Sequence, residues 1–393
     1  LQFPIQSKKG YPASPSEVGS YTESGRNFTG IKVSGNYAYS YDLWCCLVIL
    51  DISTPSSPSY VGQCEGNGDC LNLEISGNFV GISHGNNGFS LYDVSDPGHP
   101  SRLGNYDTPD SGSRIVASGD YVYIACKDSL RIMDVSDPSN PSLAGICGVG
   151  LGVNGVAVSG RFAYCASCNT AGGALYIVDI SSPSTPFPVA HLQFPLEADT
   201  IYELNDVAVR GDYAYVSGNK WISGETRGFL AVADISNPLS PSIMGYYVCP
   251  IRSFHRGGIA LSGNYAYLQV EEGPYIGVRW AGLRIIDISD PTNPTEVSHY
   301  FSGREDTVTT DSEGRYSHPV SYAWSGTVIP SKAGYAFSPS SRTYTNVSSN
   351  QEDQDYTATM GDTNVLSQLT NFAPQTKNIF PQKTNATGNL LSE

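Results

Sequence analysis

Charge is scarce in this chain of 393 residues: only 15% are Asp, Glu, Lys or Arg. That excludes a charge-laced helical rod, a coiled coil or a solvated acidic tail as the main body. Basic residues are scarcer still, 22 Lys and Arg against 37 Asp and Glu, for a net charge of −15. A nucleic-acid backbone is repelled overall and no basic stripe overrides this, so nucleic acid is not an expected partner. No run approaches about 18 consecutive apolar residues, so no transmembrane helix is expected. The six histidines are scattered. A serine elbow, a phosphate-binding loop, a dinucleotide fingerprint and a His-Glu zinc motif are all missing. No catalytic residue and no cofactor is therefore assigned.

Turn formers and tyrosine are plentiful instead: 41 Gly, 25 Pro and 26 Tyr. Nine cysteines fit an oxidising compartment, and the odd number leaves at least one thiol unpaired or bridging to another chain. The chain begins at Leu1 rather than Met. One reading is a secreted or cell-surface chain whose leader has been removed; a trimmed chain is the other. Asn27, Asn346 and Asn385 each head a glycosylation triplet, which mildly favours export.

Self-comparison carries the strongest signal. An element reading Ile-Lys-Val-Ser-Gly-Asn-Tyr-Ala-Tyr at 31–39 recurs with glycines at Gly35, Gly77, Gly119, Gly160, Gly211 and Gly263. A second element reads Leu-Val-Ile-Leu-Asp-Ile-Ser-x-Pro at 47–55, with aspartates at Asp51, Asp93, Asp134, Asp179, Asp234 and Asp287. A third is the short run Pro58–Gly62 and its equivalents. Each copy holds about four alternating apolar runs split by turn residues, which reads as four strands, A (31–34), B (37–41), C (47–52) and D (about 59–63) in the first copy. A four-stranded unit this small cannot bury both faces alone, whereas radial stacking can, so six copies predict a six-bladed β-propeller over 15–300.

Leu-Arg-Ile-Met-Asp-Val-Ser-Asp-Pro at 130–138 and Leu-Arg-Ile-Ile-Asp-Ile-Ser-Asp-Pro at 283–291 resemble the LVIVD repeat of bacterial and archaeal surface or secreted propellers. The resemblance implies the fold and leaves activity open. Copy two departs from it, with Phe-Ser-Leu-Tyr-Asp at 89–93.

With strand A innermost, the residues between its two apolar positions line a central channel: Lys32, Glu74, Val116, Ala157, Ala208 and Ala260. Such a ring lacks the converging carboxylates or histidines of a catalytic tunnel, and Lys32–Glu74 reads as closure glue. The repeated Asp reads as a turn residue whose carboxylate accepts backbone N–H bonds ahead of Ser-x-Pro. The Tyr-x-Tyr pairs of strand B read as packing.

Extra residues gather in the D–A and B–C connections, on one face: 191–206, 217–228 and 268–282. They carry Trp221, Arg227, Tyr275, Arg279 and Trp280, the residue types of a protein or glycan interface. Cys64 and Cys70 flank a small loop that a disulfide would close. Cys165 and Cys168 leave a local disulfide, a redox pair or half a zinc site open, but no second Cys pair follows for zinc. Structural calcium is left open at Asp- and Asn-rich loops such as Asp107–Asp110 and Asp199–Asp206, with no twelve-residue ligand pattern in support.

After His299 the repeat stops. Residues 301–360 alternate between tight turns. They resemble the carboxypeptidase-regulatory-like, Ig-like modules of bacterial secreted proteins, through Asp311–Tyr316 and Gly334–Pro339. The expected small β-sandwich is short of its first strands, which another chain could supply. Residues 361–393 are a polar tail with isolated apolar anchors. Within the extension 1–14, Leu1, Phe3 and Ile5 alternate to one side, as a donated strand requires. Pro15–Tyr21 has the pattern of strand D and is expected to pair beside or outside the last blade's outer strands, closing the ring. The expectation is a non-enzymatic, secreted or cell-surface structural protein that self-assembles head to tail. The alternatives are a monomeric module binding surface protein or glycan, and, third, a propeller enzyme.

Overall fold

The computed structural model describes residues 18–23, 26, 28–42, 46–66, 70–85, 88–108, 112–150, 152–169, 172–195, 200–222, 225–250, 253–254, 258–275, 278–301, 324–328, 330, 335–347 and 356–360. The chain divides into two compact units. One holds nearly all of 17–296 and the other Val297–Glu393 with two short segments from earlier in the chain.

The first unit is a six-bladed all-β propeller. Blade one holds β1 (Phe28–Ser34), β2 (Tyr37–Asp42), β3 (Cys46–Asp51) and β4 (Ser59–Glu65). Blade two holds β5 (Asn72–Ser76), β6 (Phe79–Ser83), β7 (Phe89–Asp93) and β8 (Ser101–Tyr106). Blade three holds β9 (Gly112–Ser118), β10 (Tyr121–Cys126), β11 (Ser129–Asp134) and β12 (Ser142–Gly148). Blade four holds β13 (Val153–Ser159), β14 (Phe162–Asn169), β15 (Gly172–Asp179) and β16 (Phe187–Gln193). Blade five holds β17 (Thr200–Arg210), β18 (Tyr213–Ile222), β19 (Glu225–Asp234) and β20 (Ser242–Val248). In blade six the inner strand is split into β21 (Ser253–Phe254) and β22 (Ile259–Ser262), both pairing with β23 (Tyr265–Tyr275). β24 (Val278–Asp287) and β25 (Thr295–Phe301) follow. Every described pairing within a blade is antiparallel between sequence neighbours, so each blade is a meander with strand A inside and strand D outside.

The A–B turn is set by backbone geometry. Its six glycines have φ between +54° and +59°, and a Cβ at any of them would meet nothing within 4 Å. Glycine is therefore required there by conformation and not by crowding.

The core lies between blades. Tyr39, Tyr41, Leu47 and Ile49 of blade one bury against Leu73, Val80, Ile82 and Tyr92 of blade two. Phe89 and Leu91 then meet Ile115, Val122 and Ile124. Tyr123, Leu130 and Ile132 meet Val156, Ala163 and Val178. Tyr164, Leu175 and Ile177 meet Val207, Ala214 and Phe229. Alternation puts the two faces of each blade into two different cores, which is why no blade is stable alone. Blade two shows how a departure is absorbed. Gly81 replaces the second Tyr of strand B, and the Phe89 ring lies over it where a Cβ would sit. The inner face of blade one is less covered: Ile31 is 36% and Val33 40% exposed, whereas Leu73, Ile115, Val156 and Val207 are buried.

Three expectations need amendment. The additions in blades five and six are mostly strand, since β17, β18, β19, β23 and β24 run to 10 or 11 residues. Continuous cross-strand pairing, Ile201 opposite Trp221 and Lys220 opposite Arg227, extends the ladder instead of looping out. Of Pro15–Tyr21, residues 15–17 lie outside the described residues, and 18–21 run without a ladder, against blade one. Beyond Phe301, the described residues form two two-stranded ladders and no larger sheet. β26 (Trp324–Val328) pairs with β28 (Arg342–Val347), and β27 (Tyr335–Ser338) with β29 (Thr357–Met360). A sandwich needs two facing sheets of several strands, so the Ig-like module is not established. The tail 361–393 lies outside the described residues.

Replacing Gly119 by Val should cost about 1–2 kcal/mol, the penalty of a left-handed conformation for an L-residue. Gly119→Asn should cost clearly less. Urea denaturation of both variants checks the order.

Candidate functional site

The repeated aspartates are turn residues. Asp51, Asp93, Asp134, Asp179, Asp234 and Asp287 each accept the N–H of the serine two residues on, at 2.7–2.9 Å. The residue after each Asp donates its N–H to the carbonyl of the A–B turn in the same blade at 2.8–2.9 Å, from Ile52 to Asn36 through Ile288 to Asn264. Sequence elements about 15–24 residues apart are thus tied into one blade end. The hydrogen bonds at Ser53, Ser95, Ser136 and Ser236 lower the pKa of Asp51, Asp93, Asp134 and Asp234. At Asp179 the Arg161 guanidinium and Ser181 together bring it down to about 2. These carboxylates stay ionised and engaged at neutral pH.

At the axis, Lys32 Nζ lies 2.6 Å from Glu74 Oε2, linking blades one and two. Val116, Ala157 and Ala208 are partly buried and Ala260 is exposed. At the head of the inner strands lies a second set of residues that sequence pattern did not single out. Tyr41 donates its hydroxyl to Leu71 O at 2.6 Å, and Asn72 Oδ1 accepts Ile115 N–H at 3.3 Å. Ser113 donates to Val153 O at 3.0 Å, and Asn154 Nδ2 to Leu204 O at 3.0 Å. Asp206 Oδ2 accepts Ile259 N–H at 3.0 Å. Each bond crosses from one blade to the next, so five seams are stitched by a polar girdle. Arg114 of blade three reaches past blade four to Asp206 of blade five, 3.7 Å away. Blade four presents Gly155 at that level, and both side chains lie over Gly258, whose Cβ would come within 3.5 Å of the guanidinium. Asn72 and Asp206 sit one position before Leu73 and Val207, and Ser113 and Asn154 two positions before Ile115 and Val156, where the apolar alternation starts. Bulges at Ser113, Asn154 and Asn205 break the two-residue period there.

Cys64, Cys70, Cys126, Cys147, Cys165, Cys168 and Cys249 are free thiols, so the Cys64–Cys70 disulfide is not formed. Cys70 Sγ faces His84 Nδ1 at 3.5 Å instead, while Cys64 Sγ is turned toward Glu65 O at 3.8 Å. Cys165 and Cys168 are three apart on β14, pairing opposite Tyr176 and Gly173. Residues so spaced on a strand point to opposite faces and lie roughly 10 Å apart, beyond the span of a disulfide. Burial raises the pKa of Cys64, Cys147, Cys165 and Cys168, which keeps them as thiols. Among the described residues no group of three His, Cys, Asp or Glu is placed to hold a metal ion.

On the extended hairpin of blade five, Trp221 is 37% and its cross-strand partner Ile201 is 51% exposed. Below them an aromatic cluster of Phe194, Tyr202, Phe229 and Tyr246 anchors the hairpin; Tyr202 meets Phe229 edge-on at 5.2 Å, and Lys220 Nζ lies 5.0 Å over the Tyr202 ring. Arg227 pairs with Glu225 at 3.2 Å. Tyr275, Arg279 and Trp280 fall on β23 and β24, with side chains outside the description. Leu1, Phe3, Ile5, Asn27 and Asn385 lie outside the described residues, and Asn346 falls on β28.

Residues 25–66, 67–108, 111–149, 152–190, 203–248 and 256–301 match the LVIVD repeat. No curated protein sequence matches the chain. A hypothetical selenium-binding protein from Sulfolobus tokodaii is similar at TM-score 0.52 and 11% identity, over 68% of this chain and 75% of that one. The β-propeller domain of Cps50 (Swd1) from Myceliophteria thermophila is similar at TM-score 0.52 and 12% identity, over 72% and 90%. Likeness at such identity shows the fold alone.

Because the pKa of Asp179 is lowered on folding, its contribution is complete above about pH 4 and is lost as pH falls toward about 2. Asp179→Asn retains an acceptor for Ser181 but removes the charge facing Arg161. Urea midpoints across that acid range should fall less steeply for the variant than for the parent chain.

Proposed function

The chain belongs to the LVIVD-repeat family, and on that premise we propose that it is a non-catalytic structural protein of the cell exterior that assembles with copies of itself. The carrying observation is where its ionisable groups are spent. All six repeated carboxylates are closed into turns, and Asp206, Arg114, Lys32 and Glu74 are engaged between blades. These ten groups are held within the ring. Catalysis needs an unspent acid, base or nucleophile in a concave site, and this arrangement favours contact over chemistry.

Assembly by strand donation is the favoured mode. Among the described residues, the two-stranded ladders β26–β28 and β27–β29 pair with no further strand, which leaves edges for a donated one. Leu1, Phe3 and Ile5 alternate as a donated strand would, and Ser7–Gly10 supplies a polar leash to the propeller. Export accords with the glycosylation triplets at Asn27, Asn346 and Asn385. A second reading, a module that binds a surface protein or glycan, is favoured by the exposed Ile201–Trp221 pair on blade five.

Light scattering and electron microscopy separate the two. The full chain should form particles larger than one copy, and a chain lacking residues 1–10 should stay monomeric with the same circular dichroism. Equal assembly by the truncated chain would refute strand donation from the N-terminus. Loss of assembly only on Ile201→Ser with Trp221→Ser would place the contact on blade five.

A further inference from the structure

The outer strands of this propeller carry a repeated contact. In β4, a Cβ on Gly62 would run into Pro97 O and Gly98 of the next blade's C–D turn. Gly104 of β8 meets Pro138 and Pro141 in the same way, Gly145 of β12 meets Pro183 and Pro186, and Gly245 of β20 meets Pro291 and Thr292. Each of these glycines follows a bulge in the C–D ladder, which swings the outer strand onto its neighbour. A close approach of backbone to backbone needs the missing side chain. Two residues further on, a side chain covers the apolar face of the following blade. In β4 this is Cys64, against the cluster of Val80, Ile82 and Tyr92; in β12 it is Cys147, against Ala163, Cys165 and Val178.

Residues 18–21 make both contacts without belonging to any sheet. A Cβ on Gly19 would run into Pro55 O and Ser56, the C–D turn of blade one. Tyr21, two residues on, packs with Ala38, Val48 and Leu50 of blade one, the places held by Val80, Ser90 and Tyr92 in blade two. The sequence agrees: Pro15-Ser16-x-Val18-Gly19 repeats Pro58-Ser59-x-Val61-Gly62. The outer strand of blade six, β25, has Ser298 where β4, β8, β12 and β20 have Gly62, Gly104, Gly145 and Gly245 and β16 has Ala190. The segment is then tied down. Tyr21 donates its hydroxyl to Glu23, Glu23 pairs with Arg26 at 2.8 Å, and Arg26 pairs with Asp42 at 3.1 Å and with Gln63.

We propose that residues 18–21 are a clasp, a surrogate outer strand that closes the ring by seating Gly19 and Tyr21 of the same chain on blade one. The sixth seam is then held by a segment from the opposite end of the repeat array. The clasp is separate from strand donation by residues 1–6, since a chain lacking 1–10 keeps it.

Hydrogen–deuterium exchange of the full chain tests this. Gly19→Val should speed exchange in β1, β2 and β3 by roughly tenfold or more, the result of forcing a side chain into a close-packed contact, and leave β10, β11 and β14 unchanged. Gly62→Val, which breaks the same contact inside the ring, should do this to blade two. In a chain lacking residues 1–22, a synthetic peptide of residues 12–23 should restore protection to blade one, and the same peptide with Gly19→Val should not. Should the truncated chain not fold, the two full-length glycine variants decide. Unchanged protection of blade one in Gly19→Val, beside a loosened blade two in Gly62→Val, overturns the proposal. So does protection of blade one in the parent chain that falls on dilution, which would mean the segment is seated on a neighbouring copy.

Discussion

The C–D turn is the joint on which the rest of the propeller hangs. Its aspartate takes the serine N–H ahead of it, its next residue reaches the A–B turn, and its proline carbonyls form the surface on which the preceding blade's outer strand lies. One short stretch therefore ends a blade, squares its two turns against each other and seats its neighbour. The ion pairs and buried thiols tune this frame without creating it. That ordering follows from strength and number, since six copies of a backbone-to-carboxylate bond recur while exposed pairs such as His99–Asp96 contribute little.

Blade seams bear the apolar burden, and they are unequal. Four cores alternate between successive blades with large side chains at or near full burial. Between blades five and six the outer seam is polar: Arg284, 3% exposed, pairs with Glu296, which also accepts the Tyr247 hydroxyl. A buried charge set of this kind gives specificity of register more readily than net stability. Blade one's inner face, by contrast, leaves Ile31 and Val33 partly in solvent. The ring is uniform in backbone and uneven in what fills it, and its distinguishing features gather where the repeat is least regular.

Much of the fold was legible because the repeat states it six times. A left-handed glycine, an aspartate before Ser-x-Pro and two-residue alternation are local requirements, so sequence alone determined the blade, its strand order and the turn role of Asp51 and its equivalents. The Lys32–Glu74 juxtaposition also followed, since equivalent positions of adjacent copies must be neighbours. What tertiary structure decided was everything that depends on distances between copies. Ser113, Asn154 and Asp206 became a girdle only because bulges shifted the strand starts, and a bulge leaves no mark on composition. Cys64 and Cys70 are close in sequence, yet the blade seam directs one toward His84 and the other away. Gly19 looked like one more outer-strand residue, and only its seat against Pro55 distinguished a contact from a pattern. Periodicity reports which way a side chain faces; what stands opposite it is set by the packing of one blade on the next.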